Sequence, residues 1–389
     1  MKGKAVIGAG FGDEGKGLVT DWLCRSCAKP LVIRCSGGQQ AGHTVVAGAV
    51  RHVFSNFGSG TLHGAPSWFS PFCTVEPIGL ITELCSLLGK GVQPLLYVDA
   101  GCPVTTPYDI ARNRQHHPHG SCGLGFGDTL RREELHYSLT FGDIFHPWVL
   151  ETRLDMIRSF YEEWTGAVDP EDFLDCCAAL AESPHVRLTH GLPAGDWSDL
   201  IYESAQGLLL DQRFGFFPHV TRSNTGTANA AALHGRGELE IYLVTRAYQT
   251  RHGDGPMSNE QLPHNIKANP EETNVRNTYQ GAFRRSLLDL DLLDYAVSRD
   301  ELLRTAKTRH LVVTCLDQIE NEYRFTRQGQ IVCCDNADDF VSRVAGQLGF
   351  SSVFVSTGDQ ADAVWPFSPA VSARAEGARE VSEAGGQAD

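Results

Sequence analysis

Residues 4–20 read KAVIGAGFGDEGKGLVT, and the fold follows from how that stretch is parsed. Lys4-Ala5-Val6-Ile7 is a short apolar run of the kind that buried strands carry. Gly8, Gly10, Gly12, Gly15 and Gly17 then fall within ten residues, interleaved with Asp13, Glu14 and Lys16. Beyond Gly17 the apolar residues Leu18, Val19, Trp22 and Leu23 have helical spacing. Strand, glycine loop and helix is the layout of a phosphate cradle. Backbone N–H groups close on an anion there, and the helix N-terminus adds a favourable dipole.

The stretch completes neither common phosphate fingerprint. Gly10-x-x-x-x-Gly15-Lys16 starts a P-loop, but Gly17 stands where a magnesium-binding Ser or Thr belongs. Gly8-x-Gly10 starts a dinucleotide fingerprint, but Asp13 takes the third glycine's place, where a carboxylate repels a pyrophosphate. What remains is a glycine loop with an acid and a lysine of its own. Asp13 is suited to hold a metal or take a proton, and Lys16 to face a phosphate. A glycine-rich turn with solvated charges is the plain alternative. The density of glycine and its place after a strand argue for the cradle.

A second unit of the same kind follows. Pro30-Leu31-Val32-Ile33-Arg34-Cys35 reads as a buried strand running into Ser36-Gly37-Gly38-Gln39-Gln40-Ala41-Gly42-His43-Thr44. Two such units in succession suggest parallel strands, whose loops emerge at one sheet edge. Asp13 and His43 then face one small site, as a base and an acid. Gly120 to Gly127 is a third glycine loop. Residues 258–281 are polar and read as a mobile surface loop, closed by Arg284-Arg285 before an apolar helix from Leu287 to Tyr295. Paired arginines at such a junction suit a dicarboxylate, with a surface basic pair as the alternative. His310 to Asp317 is a strand ending in an acid, and Ser351 to Val355 is a last strand. Ile110 to His119 is polar. Its histidines at 116, 117 and 119 read as a solvated loop, since no acids or cysteines stand at ligand spacing.

The whole chain sets bounds on these readings. Its 389 residues suffice for one large α/β domain with an ample core. The formal net charge of -14 argues against nonspecific nucleic-acid binding and against an anionic membrane surface. No apolar run approaches membrane-spanning length and the N-terminus lacks a signal-peptide pattern, so a cytoplasmic protein is expected. The 12 cysteines are scattered and form no secreted disulfide framework. Cys24-x-x-Cys27 has metal or redox spacing, but no second pair follows at zinc-site distance, and ordinary reduced thiols are expected. We expect a single domain over residues 1–368, with a helical insertion at about 147–185, the mobile loop at about 258–283, and a disordered tail from 369 to 389.

Taken together, the loops resemble the adenylosuccinate synthetase family. GDEGKG at Gly12 to Gly17, GGQQAGHT at Gly37 to Thr44, SAQGLLLD at Ser204 to Asp211, PHVTRSNT at Pro218 to Thr225, TRHGDGP at Thr250 to Pro256 and STG at Ser356 to Gly358 follow in that family's order. The resemblance implies an α/β fold on a large, mainly parallel central sheet with flanking helices and loop insertions. It implies a ligase that phosphorylates the 6-oxo group of a purine nucleotide with a nucleoside triphosphate and displaces the phosphate with the amine of L-aspartate. Asp13 would remove the N1 proton and help bind Mg2+, with the Gly42 carbonyl as a second ligand. His43 would stabilise the developing charge. Gly12, Glu14, Gly15, Lys16, Gly17, Gly42 and Thr44 would hold the donor's phosphates. Asp317 would read the donor's base, beside Ser356, Thr357 and Gly358. Gln40, Ser121, Cys122, Gln206 and Thr221 match acceptor-nucleotide positions, and Thr278, Arg284 and Arg285 lie where the family binds aspartate. The resemblance also implies a homodimer.

This chain departs from the family pattern in places. Gln40 replaces an Asn, Ser121-Cys122 replaces a pair of threonines, and Cys315 replaces a Lys before the base-reading acid. A dimer-partner arginine that reaches the acceptor's phosphate is matched by Arg131 or Arg132, or by Tyr137 in the most direct alignment. The donor stays open between GTP and ATP, and the acceptor between IMP and dGMP or another nonstandard purine nucleotide. A nucleotide-binding module without catalysis is the reading of another class.

Overall fold

The computed structural model describes residues 1–116, 121–161, 168–276 and 278–368. His117, His119 and the expected tail from 369 to 389 lie outside the described residues. The apolar runs become strands: β1 (Lys2–Gly8), β2 (Pro30–Arg34), β3 (His43–Ala47), β4 (Val50–Phe54), β5 (Ser67–Phe69), β6 (Leu96–Asp99), β7 (Val186–Thr189), β8 (Asp199–Glu203), β9 (Leu239–Arg246), β10 (Tyr248–His252), β11 (Phe283–Asp289), β12 (Arg309–Thr314), β13 (Tyr323–Arg327), β14 (Gln330–Cys334), β15 (Val353–Ser356) and β16 (Val364–Pro366). The helices are α1 (Lys16–Arg25), α2 (Pro77–Gly89), α3 (Pro107–His116), α4 (Phe126–Glu134), α5 (Pro147–Phe160), α6 (Glu171–Glu182), α7 (Ala228–His234), α8 (Leu290–Arg299), α9 (Glu301–Thr305) and α10 (Ala337–Leu348).

The central sheet has the order β16-β15-β12-β9-β1-β8-β2-β5-β6-β7. Its pairings are parallel except for β15 with β16. β1 lies between β8 and β9, and its Ala5, Val6 and Ile7 are almost fully buried, as a strand covered on both faces requires. From β1 the chain goes to β2 on one side, while β9, β12 and β15 build the other. The strand order therefore reverses next to β1, and a crevice opens at the carboxyl edge. A four-stranded sheet, β10-β11-β13-β14, and the β3-β4 hairpin stand beside this edge. Helices cover both faces, and α5 and α6 pack in an apolar cluster with β5 and β6.

Two expectations change. The polar stretch from Ile110 onward belongs to helix α3, which starts at Pro107. The Asp109 carboxylate accepts from both the N–H and the hydroxyl of Thr106 at 2.8 Å, closing the first turn. The apolar run from Leu287 to Tyr295 is not one helix. It continues β11 to Asp289, whose carboxylate accepts from the amides of Asp291 and Leu292 and so starts α8. Apolar periodicity alone did not separate the two halves, and the capping acid does.

Residues 258–282 carry no strand or helix among those described, yet they are tied down. Buried Ile266 bridges to Ile319, the Glu271 carbonyl accepts from Arg51 at 2.7 Å, and Thr273 bonds Thr44 at 3.1 Å. No helix among the described residues is long and apolar enough to cross a membrane.

Candidate active site

Loops after β1, β2, β8, β9, β12 and β15 meet at the carboxyl edge of the sheet. Between them lies a cavity of about 1080 Å³, to which the loops after β1, β2, β8, β12 and β15 contribute Asp13, Gly42, Gln206, Cys315 and Gly358 respectively, and the last residue of β9 contributes Arg246. Asp13 and His43, expected to share a site, both line it.

The first glycine loop is held from below and from the side. The Glu14 carboxylate turns inward, accepts from the amides of Gly10 at 3.0 Å and Gly12 at 2.9 Å, and pairs with the Lys16 ammonium at 2.8 Å. A β-carbon on Gly207 would come within 2.3 Å of that carboxylate, so the close fit requires glycine there. This corrects the simple cradle. The amides of Gly10 and Gly12 serve Glu14, and Glu14 holds the loop together instead of facing a phosphate.

Three consecutive carbonyls are also bound. Gly12 accepts from the Thr250 hydroxyl at 2.9 Å, Asp13 from Arg246 Nε, and Glu14 from the Thr314 hydroxyl at 2.7 Å. These contacts keep Asp13 in the left-handed region, at φ 63°. Its carboxylate takes no hydrogen bond among the described residues. Burial pushes the Asp13 carboxyl above its ordinary range and Glu14 adds to this, against the opposing charges of Arg246, Lys16 and His252.

His43 begins β3, and its Nδ1 lies 2.7 Å from Glu203 Oε1. Glu203 ends β8 and is fully buried. It also accepts from the Ser59 amide at 3.1 Å and from the Ser59 hydroxyl. Burial alone would raise the Glu203 carboxyl, but His43, Arg34 and Ser59 outweigh it and hold it at about 2. Burial lowers His43, Glu203 pulls the other way, and Arg34 and Lys16 reinforce the lowering. Read together, these two directions leave Glu203 ionised and the resting imidazole neutral, with Nδ1–H donating to Glu203. Nε2 is the nitrogen left for a ligand. The buried Arg34 guanidinium donates to the carbonyls of Ala41 at 3.1 Å and Phe57 at 3.2 Å, fixing the loop that carries His43.

Gly12, Glu14, Gly15, Lys16, Gly17, Gln40, Thr44, Ser121, Cys122, Gln206, Thr221 and Asp317 also line the cavity. Both side-chain ends of Gln40, Oε1 of Gln206 and Nε2 of His252 are buried with no partner among the described residues. Each such orphan costs about 1–3 kcal/mol, so their grouping marks a place built for a polar ligand. Asp317 is exposed at the rim, where Lys267 Nζ donates to its carbonyl at 2.7 Å.

Other expected residues stand outside the lining. The Ser356 hydroxyl donates to the Gly358 carbonyl at 2.7 Å and so shapes the turn that presents Gly358, while Thr357 donates to Ala363. Thr278 is exposed away from the lining. Arg284 is committed to the carbonyls of Gly253 at 2.7 Å and Gly255 at 2.8 Å and to Glu260 at 2.9 Å. Arg285 donates to the Lys267 carbonyl at 2.8 Å. The arginine pair therefore braces loops and is not brought into the cavity. Of the two candidate phosphate arginines, Arg132 is fully buried on Asp109 and Glu133, whereas Arg131 is exposed at the cavity wall.

Sequence reasoning gave no role to Glu203, Arg34 or Arg246. Each had the same signal, a charged residue at the carboxyl end of a buried strand.

The family described as adenylosuccinate synthetase matches residues 5–344 of the chain. The adenylosuccinate synthetase of Neisseria gonorrhoeae (strain ATCC 700825 / FA 1090) is 32% identical over 285 residues, 67% of this chain and 65% of that protein. The chain thus spans about two thirds of the length of this relative. The adenylosuccinate synthetase of Francisella tularensis subsp. tularensis (strain WY96-3418) is 28% identical over 362 residues, 86% of this chain and 83% of that protein. Among solved structures, fully ligated adenylosuccinate synthetase from Plasmodium falciparum superposes with a TM-score of 0.76 at 17% identity, covering 95% of this chain and 100% of that one. Succinoaminodeoxyadenylate synthetase of cyanophage S-2L, bound to dGMP and to dATP as an energy donor, gives 0.62 at 14% identity, covering 94% and 95%. At these identities the two structures establish the fold.

Proposed function

The chain belongs to the adenylosuccinate synthetase family, and from that premise we propose that it joins L-aspartate to a 6-oxopurine nucleotide of the IMP type, driven by GTP or ATP. The observation that carries this reading is the placement of Asp13 and the Glu203-backed His43 in one cavity. Asp13 takes the N1 proton, and the electron pair moves to O6. O6 attacks the γ-phosphorus of the donor, the bond to the β-phosphate oxygen breaks, and the nucleoside diphosphate leaves. His43 supplies a proton or hydrogen bond to the oxygens that gain charge. The aspartate amine then adds at C6 and inorganic phosphate leaves with the C6–O6 electron pair. Burial, with Glu14 beside it, raises the Asp13 carboxyl above its ordinary range, which makes its carboxylate a stronger base than a solvated one.

Asp13 also fits a divalent cation. Its carboxylate is desolvated and takes no protein hydrogen bond among the described residues, and the Gly42 carbonyl belongs to the same cavity lining. No group of three or more His, Cys, Asp and Glu among the described residues makes a self-sufficient metal site. That matches Mg2+, which is held by one or two carboxylates together with substrate phosphates. When bound, it would neutralise phosphate charge. A homodimer in the cytoplasm is the corresponding assembly and location.

The test is phosphate release by the purified protein with L-aspartate and Mg2+, against IMP, GMP and dGMP as acceptors and GTP and ATP as donors. Release that requires aspartate and an acceptor supports the reading, and no release in any combination overturns it. dGMP belongs in the panel because Gln40 and Ser121-Cys122 reshape the acceptor wall. A second reading, nucleotide binding without turnover, draws on the commitment of Arg284 and Arg285 to backbone carbonyls. Nucleotide affinity with no turnover, unchanged in Asp13→Asn, would favour it.

A further inference from the structure

We propose that Glu83, on α2 and outside the cavity lining, is a positioning residue that aims the His43 imidazole, an inference that rests on the role of His43 in the reading above. Leu80, Glu83, Leu84 and Leu87 make one buried face of α2. An acid among three leucines is costly unless its oxygens are answered. One turn answers them. Glu83 Oε2 accepts from the amides of Ser55 at 3.1 Å and Asn56 at 2.7 Å and from Asn56 Nδ2 at 2.9 Å. Oε1 accepts from the Phe57 amide at 3.3 Å. Three consecutive N–H groups thus converge on one carboxylate, as in a backbone nest.

That turn continues the hairpin that carries His43. In the register of β3 with β4, His43 stands opposite Phe54, and Ser55 is the next residue. At the far end of the turn, Ser59 donates to Glu203 through its amide at 3.1 Å and through its hydroxyl. Glu203 Oε1 in turn lies 2.7 Å from His43 Nδ1. In the middle, the Phe57 carbonyl accepts from Arg34 at 3.2 Å, and the same guanidinium holds the Ala41 carbonyl at 3.1 Å. Residues 55–59 are therefore gripped by Glu83 at one end and by Glu203 at the other. His43 is joined to the first end through its strand partner Phe54 and to the second through its own ring. The hairpin is a two-stranded sheet separate from the central one, so its aim draws on ties of this kind. A turn released by Glu83 carries Phe54 and the Ser59 donors with it, and the Nε2 of His43 leaves its place. Glu83 touches no ligand in this account and acts through the imidazole.

The test is single-turnover phosphate release in a cycle of Glu83→Gln and His43→Asn, with the donor and acceptor that wild type uses. Glutamine puts an NH2 group where one carboxylate oxygen stood, so Glu83→Gln should loosen the turn at nearly unchanged side-chain size. With His43 present it should slow release about 10- to 100-fold, the scale of a misplaced reacting group. Affinities for donor and L-aspartate should stay within about 2-fold of wild type. In the His43→Asn background the same change should slow release by no more than about 2-fold, since the group it aims is gone. No slowing with His43 present, or equal slowing in both backgrounds, overturns the assignment and leaves the ligase reading intact. Absence of release by wild type overturns both. Ser59→Ala serves if Glu83→Gln does not fold. It removes the hydroxyl that joins the turn to Glu203 and should slow release only where His43 is present. Equal slowing in both backgrounds there overturns the link from the turn to the imidazole.

Discussion

His43 lies directly across Gly17: a β-carbon on residue 17 would stand 3.0 Å from His43 Cβ and 3.0 Å from the Thr44 carbonyl oxygen. The hydroxyl that completes a P-loop is therefore shut out by the second glycine loop. The position it would have occupied is taken by His43, Thr44 and Ser59. What reads as a defect in the motif is the condition for bringing an imidazole over it.

Gly17→Ser should accordingly damage the site twice. Overpacking against the Thr44 backbone should cost about 1–3 kcal/mol, read as a lower midpoint in urea unfolding. Turnover should fall more than donor affinity, because His43 is displaced while Lys16 stays. A Gly17→Ser protein with wild-type stability and rate would refute the contact.

Asp13→Asn should abolish phosphate release and leave donor binding measured without Mg2+ largely intact, since it removes a base and a metal ligand but no direct phosphate contact. The pH profile gives a signed check. A base works when ionised, so activity should fall as pH drops through a carboxyl value raised above the ordinary range. Arg246 opposes that rise, so Arg246→Gln should move the acid limb to still higher pH. An acid limb unmoved or moved downward would contradict the pairing.

His43→Asn should lower the rate roughly 10²–10⁴-fold, the range of a positioned acid–base group. Its partner Glu203 links the site to acid stability. The folded carboxyl, at about 2, lies below the ordinary value of 4.5, so its stabilisation is present above about 4.5 and is lost as pH falls toward 2. The stability gap between wild type and Glu203→Gln, measured by urea unfolding, should therefore shrink as pH is lowered through that window. A gap independent of pH would mean the Glu203 charge is not what stabilises the fold.

Lys16→Met should weaken donor binding and also destabilise the protein, because it leaves the buried Glu14 carboxylate without its partner. Losing one member of a buried pair costs about 3–5 kcal/mol. Glu14→Gln/Lys16→Met should recover part of that loss in thermal unfolding without recovering donor affinity. If the double variant is no more stable than Lys16→Met alone, the pair does not hold the loop.

How much of this was legible in sequence divides by range. β1, its loop and α1 were readable because apolar run, glycine density and helical spacing all act within 20 residues. The meeting of Asp13 and His43 followed from parallel strand logic, which fixes the edge at which loops emerge. The direction of Glu14 was not readable. It depends on Gly207 and on the amides it finds in three dimensions. Arg284 and Arg285 look like ligand cations in sequence, but Arg284 is taken up by carbonyls of a turn 29 to 31 residues earlier, which the pairing of β10 with β11 brings alongside, and Arg285 by the Lys267 carbonyl 18 residues earlier. Arg131 and Arg132 are adjacent in sequence and opposite in fate. Helix phase alone decides that one is buried and the other faces the cavity.

The three carbonyls of Gly12, Asp13 and Glu14 are answered by Thr250, Arg246 and Thr314, which follow them by 238, 233 and 300 residues. A chain emerging from the ribosome completes its glycine loop sequence almost at once, yet cannot set the geometry of that loop until residue 314 is available. The shape of the candidate site is thus among the last properties the molecule acquires during synthesis, and nascent chains that have not reached β12 hold the motif without its shape.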